Sequence, residues 1–289
     1  MKNLLLAAFI LLSNALSLNA QEIKGICVNP SGGRAEYVSI GIEGTYTGIT
    51  SDGKGNFSIV IPDSLSGRAL TFAHLSYQTQ TIPINRLKQE AALARTAGKP
   101  LTITLTDNAF TITPITVNPQ KLRLKNLNSR GVLIPRGIAL HQRPSKFKDP
   151  ARAAWELNFG TLLELKAKTW IREIDFDIVA NTFDTLVMRV AVYRKEGDLF
   201  IPLMGKPHYV GVPRSTERQE ARIDLSKYDI MAHGIVYVGL ERVEMSARGQ
   251  LAFPLYYGGG RLYLHNMATG MSERQIIGIG FLVKGSVLD

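Results

Sequence analysis

A single cysteine, Cys27, stands in the 289 residues, so no internal disulfide can brace the fold. It lies in the apolar stretch EIKGICV and reads as a small buried hydrophobe. Metal-binding spacings are missing as well. The five histidines, His74, His141, His208, His233 and His265, are isolated, none has Glu three residues on, and His-Glu-x-x-His does not occur. No Gly-x-Ser-x-Gly elbow offers a nucleophile. With these motifs absent, the chain is expected to be no enzyme, with no catalytic residue, metal or cofactor. Beyond Ala20 no segment approaches the roughly 18 uninterrupted apolar residues of a membrane helix.

The N-terminus holds Lys2, the run LLLAAFILL from Leu4 to Leu12, and then small and polar residues up to Ala20. That layout reads as a secretory signal peptide over 1–20, too short in its apolar run to span a bilayer, with Gln21 as the mature first residue. No cysteine follows the cleavage point, which argues against a lipid anchor. Export is therefore expected, to the periplasm, the outer membrane or the cell surface.

The formal charge of +10 suggests a nucleic-acid partner until it is located along the chain. Residues 21–118 carry eight basic against seven acidic side chains, and residues 150–289 carry seventeen against sixteen. Residues 119–149 hold eight basic residues against Asp149 alone, and the four prolines of the segment from Val117 to Pro150 set it off further. The excess is thus a basic connector between two near-neutral domains, which is not a groove-binding surface, and nucleic acid is not expected as a partner. Peripheral contact with anionic headgroups through this linker is the alternative to a merely solvated connector.

Alternation with period two dominates what lies on either side. Val38, Ile40 and Ile42 fall on one strand face, as do Phe57, Ile59 and Ile61, while Leu101, Ile103 and Leu105 alternate with threonines. One short helix is expected around Lys88 to Gly98. Past the linker, Ile174, Phe176 and Ile178 alternate with Glu173, Asp175 and Asp177. Leu186, Met188, Val190 and Val192 share a face, and so do Val236, Val238 and Leu240. The chain is expected to be all-β, with one antiparallel sandwich over 21–118 and a second, jelly-roll-like or otherwise antiparallel, over 150–289.

The stretch GTYTGITSDGKGNFSI raises a sharper question, because Asp52-Gly53-Lys54-Gly55-Asn56 imitates both a metal loop and a phosphate loop. A calcium loop needs an oxygen ligand where Lys54 stands and glycine where Phe57 stands. A phosphate loop needs a following Gly-Lys-Ser/Thr and a helix N-terminus. The remaining reading is a hairpin turn, with Asp-Gly and Asn supplying positive φ angles.

On these residues the chain resembles the carboxypeptidase-regulatory-like domain. Gly25 and Cys27, Val38 to Ile42, Gly44-Thr45, the turn Ser51, Asp52, Gly55, Phe57 and the closing Pro62 match that family's pattern, with LTFAHLSYQTQTIPI and TITPITVNP as its later strands. Ser51 replaces the usual Thr, and Thr113-Pro114 replaces a common acidic pair. The resemblance covers about residues 22–118 and implies a transthyretin-like sandwich without catalysis, common in exported Bacteroidota proteins. The second half, about residues 158–284, looks like the C-terminal β domain of short Bacteroidota proteins, a likeness that implies no activity. Asp63-Ser64-Leu65 and Asp184-Thr185-Leu186 resemble the O-glycosylation motif of that group.

Two constellations remain for chemistry. Glu173, Asp175 and Asp177 share a strand face and read as the polar outside of a sheet, since a glycosidase pair must flank its sugar from opposite sides. The segment LYYGGGRLYLHN brings Tyr256, Tyr257, Arg261, Tyr263 and His265 near three glycines, a composition suited to stacking on sugar rings and equally to an ordinary strand after a flexible loop. Trp155 and Trp170 read as core or interdomain packing. The functional expectation is a non-enzymatic exported binding or envelope-organising protein, whose partner is an envelope protein or a glycan. A glycan-binding accessory protein is the alternative.

Overall fold

The computed structural model describes residues 21–108, 123–139, 158–246 and 248–287. Residues 1–20, where a signal peptide is expected, lie outside the described residues, as do Thr113-Pro114, His141 and Trp155. Among those described, the chain is all-β apart from one helix and two single turns of 3₁₀-helix.

The first unit contains β1 (Gln21–Val28), β2 (Ser39–Ile42), β3 (Gly48–Thr50), β4 (Asn56–Ile61), β5 (Ala69–His74), β6 (Tyr77–Pro83), helix α1 (Ile84–Thr96) and β7 (Leu101–Thr104). Two sheets face each other, one ordered β4-β1-β7 and the other β3-β2-β5-β6. All pairs are antiparallel except β1 with β7. Strict alternation in β4 sends Phe57, Ile59 and Ile61 inward, where they meet Ile23 and Cys27 from β1 and Ile40, Leu70 and Phe72 from the other sheet. Cys27 is fully buried, and burial pushes its thiol up to about 12, so it packs as a hydrophobe. Helix α1 begins just after Pro83, buries Ile84 and Leu87, and ends at Gly98 in the left-handed region.

Asp52 to Asn56 is a turn, but not a hairpin. It carries the chain out of β3, which pairs with β2, into β4, which pairs with β1 in the opposite sheet. The Asp52 carboxylate accepts the Lys54 and Asn56 amides, each at 2.8 Å, and the Asn56 side-chain amide at 2.9 Å. Only Gly55 takes a positive φ, of 73°, and a Cβ there would meet the Cys27 carbonyl oxygen at 2.5 Å. The glycine is required both by its dihedral and by the closeness of β1.

The second unit contains β8 (Lys125–Asn126), β9 (Val132–Ala139), β10 (Phe159–Ile178), β11 (Ala180–Asn181), β12 (Leu186–Glu196), β13 (Leu199–Pro202), β14 (Tyr209–Gly211) and β15 (Gln219–Asp224). It continues with β16 (Ile230–Met245), β17 (Leu251–Tyr257), β18 (Tyr263–His265), β19 (Ser272–Arg274) and β20 (Leu282–Val287). The long strands β10 and β16 run antiparallel, with a register shift between Leu165 and Thr169. Before the shift β10 also pairs with β18, and after it with β20 and β15, so one strand serves both ends of a bent sheet. Phe159, Phe176, Phe253 and Phe281 interlock at its centre, with ring centroids between 4.8 and 6.4 Å.

Part of the stretch expected to be a connector belongs to this unit. Lys125–Asn126 pairs with β20, and Val132–Ala139 pairs with β17. Residues 125–126 and 132–139 are therefore built into sheet structure.

The two units meet face to face. The outer sides of β2 and β5 lie on the outer sides of β12 and β16, so that Leu75, just after β5, is buried together with Ala191, Tyr193 and Tyr237 from the second unit. A Cβ at Gly41 would sit 2.6 Å from the Thr269 methyl, which makes the bare backbone of Gly41 a condition of this approach. The Gly44 amide donates to the Thr269 carbonyl at 2.8 Å, and the Tyr37 hydroxyl donates to Glu244 at 2.9 Å.

Candidate functional site

Three groups of polar side chains define what the molecule can do. The first lies in the joint. Arg189, in the middle of β12, is wholly buried and donates to the Glu241 carboxylate at 2.7 and 3.1 Å. Its remaining donors reach the Tyr37 carbonyl at 2.9 Å and the Ser39 hydroxyl at 3.1 Å, both in the first unit. The Tyr193 hydroxyl donates to the other Glu241 oxygen at 2.7 Å. Burial alone would weaken the charge on Arg189, but the Glu241 carboxylate outweighs it and holds the guanidinium above its ordinary range. His74 is buried nearby, and burial together with the Arg189 charge keeps its imidazole well below its usual range. This group joins the units and exposes nothing to a substrate.

The second group contains the three carboxylates of β10. They lie on one face as the alternation requires, yet Asp175 and Asp177 are buried instead of facing water. Lys284 of β20 contacts both Glu173 and Asp175, and Arg222 of β15 reaches Asp175 at 3.3 Å. Asp177 accepts from Arg130 at 3.1 Å, Arg218 at 2.6 Å and the Tyr256 hydroxyl at 2.5 Å. Burial would raise the Asp177 carboxyl, but the Tyr256 hydroxyl and the two guanidiniums hold it below the ordinary carboxylate range. Each acid is thus matched by cations from a neighbouring strand or, for Arg130 and Arg218, from the segments before β9 and β15. A carboxylate held ionised in this way is not poised to deliver a proton.

The third group is the aromatic and glycine-rich segment, which the structure divides. Tyr256 points inward to Asp177. His265 is buried, its Nδ1 lies 3.0 Å from the Ser272 hydroxyl, and its ring stacks on Phe200 with centroids 3.6 Å apart. Burial, with the Lys195 charge adding to it, pushes His265 down to about 3, so the imidazole stays neutral. Tyr263 packs half-buried against the cluster of Leu75, Tyr193 and Tyr237. Tyr257 stands apart, 66% exposed, and Arg261 is exposed as well. The five residues do not converge on one platform.

The three glycines explain this division. Gly258 takes a positive φ of 74°, and Cβ atoms at Gly259 and Gly260 would collide with Arg130 and Asn128 at 2.4 and 2.5 Å. The Gly260 amide donates to the Ser129 carbonyl at 2.7 Å. The loop is consequently laid flat against the turn before β9, where a flexible loop was expected. Tyr257 is thereby presented directly opposite Val132, in the register that also pairs Tyr256 with Leu133. Val132 is 73% exposed, and Ile276 is 80% exposed, two residues from the Gly278 that bridges to Tyr256.

Sequence reasoning missed Arg189, Glu241 and Val132. A lone arginine inside the apolar strand LVMRVAVY was the available signal for the first. Among the described residues no three His, Cys, Asp or Glu side chains gather where they could hold a metal ion, and no helix is long and apolar enough to cross a membrane. Ser64 and Thr185, centres of the two glycosylation-like motifs, are exposed. No protein-family model matches the chain, and no curated protein matches it.

Proposed function

We propose that this chain is an exported, non-enzymatic binding or envelope-organising protein that acts at the periplasmic or outer face of the cell. The observation that carries the reading is the division of its polar groups. The buried Arg189, Glu241 and Asp177 are used to lock two β units together or are neutralised by neighbouring charges, while the accessible features beside the glycine-rich loop are Val132, Tyr257 and Arg261. Two units joined by buried contacts, with an exposed apolar edge, are suited to holding partners in place. The resemblance of residues 22–118 to a non-catalytic exported domain supports the same reading, as does the leader-like N-terminus.

A second reading, a glycan-binding accessory protein, is favoured by the exposed Tyr257 ring with Arg261 nearby in the same loop. One experiment separates the two. The protein beginning at Gln21 is tested against envelope fragments and a glycan panel, beside a Tyr257→Ala variant. Retention on fragments at moderate salt, unaffected by free sugars, is expected. Saturable sugar binding that disappears in a still-folded Tyr257→Ala would replace the envelope reading with the glycan one.

A further inference from the structure

We infer that the Val132–Tyr257 edge of the second unit docks on an anionic lipid surface. The inference rests on the envelope reading above and names its partner.

Four of the nine large hydrophobic side chains exposed among the described residues are Val132, Leu133, Tyr257 and Ile276. Val132 and Tyr257 are directly paired and share a face, Ile276 stands two residues from the Gly278 that bridges to Tyr256, and Leu133, paired with the inward Tyr256, turns to the other side. Hydrophobic side chains scattered singly over a surface need no explanation, but a group of this kind on one edge marks a contact site. Its support is rigid. Gly131, with a φ of 87°, lies so close to the 258–260 loop that a Cβ would stand 2.6 Å from the Gly259 nitrogen, so the two turns meet backbone to backbone. Ordering such an edge on binding costs little, because little freedom remains to be lost.

The charge around the edge has one dominant sign. From Arg123 to Ala139 the sequence contains no carboxylate, and from Pro254 to Val287 it contains only Glu273. The nearest acids of the neighbouring strands, Asp177 and Glu220, are already engaged by Arg130 and Arg218. Arg261 and Arg274 are exposed and make no ion pair among the described residues. Exposed aliphatic chains with a tyrosine and free arginines match an interface in which hydrocarbon lies beneath anionic headgroups. A polyanionic sugar would satisfy the arginines but would leave Val132 and Ile276 facing hydroxyls and water.

The test uses the protein beginning at Gln21, so that the apolar residues 4–12 contribute nothing, and phosphatidylcholine vesicles with phosphatidylglycerol added or omitted. Co-sedimentation with the anionic vesicles is expected, weakening as salt rises. A variant carrying Val132→Ser, Tyr257→Ser and Ile276→Ser should lose about tenfold or more in partitioning, equivalent to about 1.4 kcal/mol. Arg261→Glu with Arg274→Glu should lose a similar amount at low salt only. Leu199→Ser, at an exposed residue on another strand, is the control that should not change. All variants alter exposed side chains, and their unfolding curves establish that they remain folded. Absence of binding to anionic vesicles, or equal binding by the triple-serine variant, overturns the inference. If lipid-free envelope fragments still retain the protein, only the lipid partner is lost. If they do not, the envelope reading falls with it.

Discussion

At the joint between the units Arg189 and Glu241 lie wholly out of water, whereas at the rim of the second unit Asp177 shares a partly open site with Arg130, Arg218 and Tyr256. Both clusters bring distant segments together: Arg189 reaches back to Tyr37 and Ser39, and Asp177 gathers the segment before β9 and the end of β17. They differ in what happens when a member is lost. Water can reach Arg218 and replace part of its contribution, because that side chain is 49% exposed. Nothing can replace Arg189, whose donors are divided between a carboxylate and the backbone of the other unit. Identical chemistry therefore acts as an adjustable rim in one place and as a bolt in the other.

The comparison breaks most visibly at Arg189. Arg189→Met strands a buried carboxylate and removes the donor from the Tyr37 carbonyl, and should destabilise the protein by about 3–5 kcal/mol in urea unfolding. Combining it with Glu241→Leu and Tyr193→Phe should recover most of that loss, since matched apolar replacement removes the stranded charge. Failure of the triple variant to recover would mean that the polar bonds to Tyr37 and Ser39 are what hold the units together.

Acid sharpens the contrast next. His265 has a folded value of about 3 against an ordinary 6.5, so the unfolded chain takes up the proton first. Stability from this residue is complete above pH 6.5 and falls as the pH drops through the window down to about 3. At about pH 5 the loss is on the order of 2 kcal/mol. His265→Phe should flatten that slope in a pH series of unfolding curves. It should not abolish it, because His74 is shifted in the same direction.

The rim gives the smallest effect. Asp177→Asn should cost about 1–2 kcal/mol at neutral pH through weakened charge-assisted bonds. The Asp177 carboxyl is depressed below its ordinary 3.8, so its contribution is present above that value and is lost only as the pH falls further. The Asn variant should thus converge on the parent protein in strong acid while differing from it at pH 5 and above, the reverse of the expectation for His265→Phe.

Much of the fold was legible along the chain. The alternation of Phe57, Ile59 and Ile61, or of Leu186, Met188, Val190 and Val192, named the residues that face a core, and all seven are buried. Helix α1 was expected within a few residues of where it lies. The Asp52 turn was recognised, but its role in passing the chain between sheets was not, because a turn's sequence specifies its dihedrals and not which strands its neighbours pair with. At the candidate surface, Tyr257 and Arg261 were named as candidates for ligand binding, and both are exposed. Tyr256, one residue away, was grouped with them, although successive residues of a strand point to opposite sides.

The sequence by itself determined the alternating strands, their inward faces and the sign of charge in each segment, because these follow from local periodicity and composition, but not β8 and β9, which it read as connector. Only the tertiary structure decided the fate of the other faces. Arg189, Tyr193, Tyr237 and Glu241 stand on the faces opposite the apolar alternation, and they are dry because the outer face of β2 and β5 covers them. Alternation reports that two faces of a strand differ, and whether the second meets water or another sheet depends on residues more than a hundred positions away.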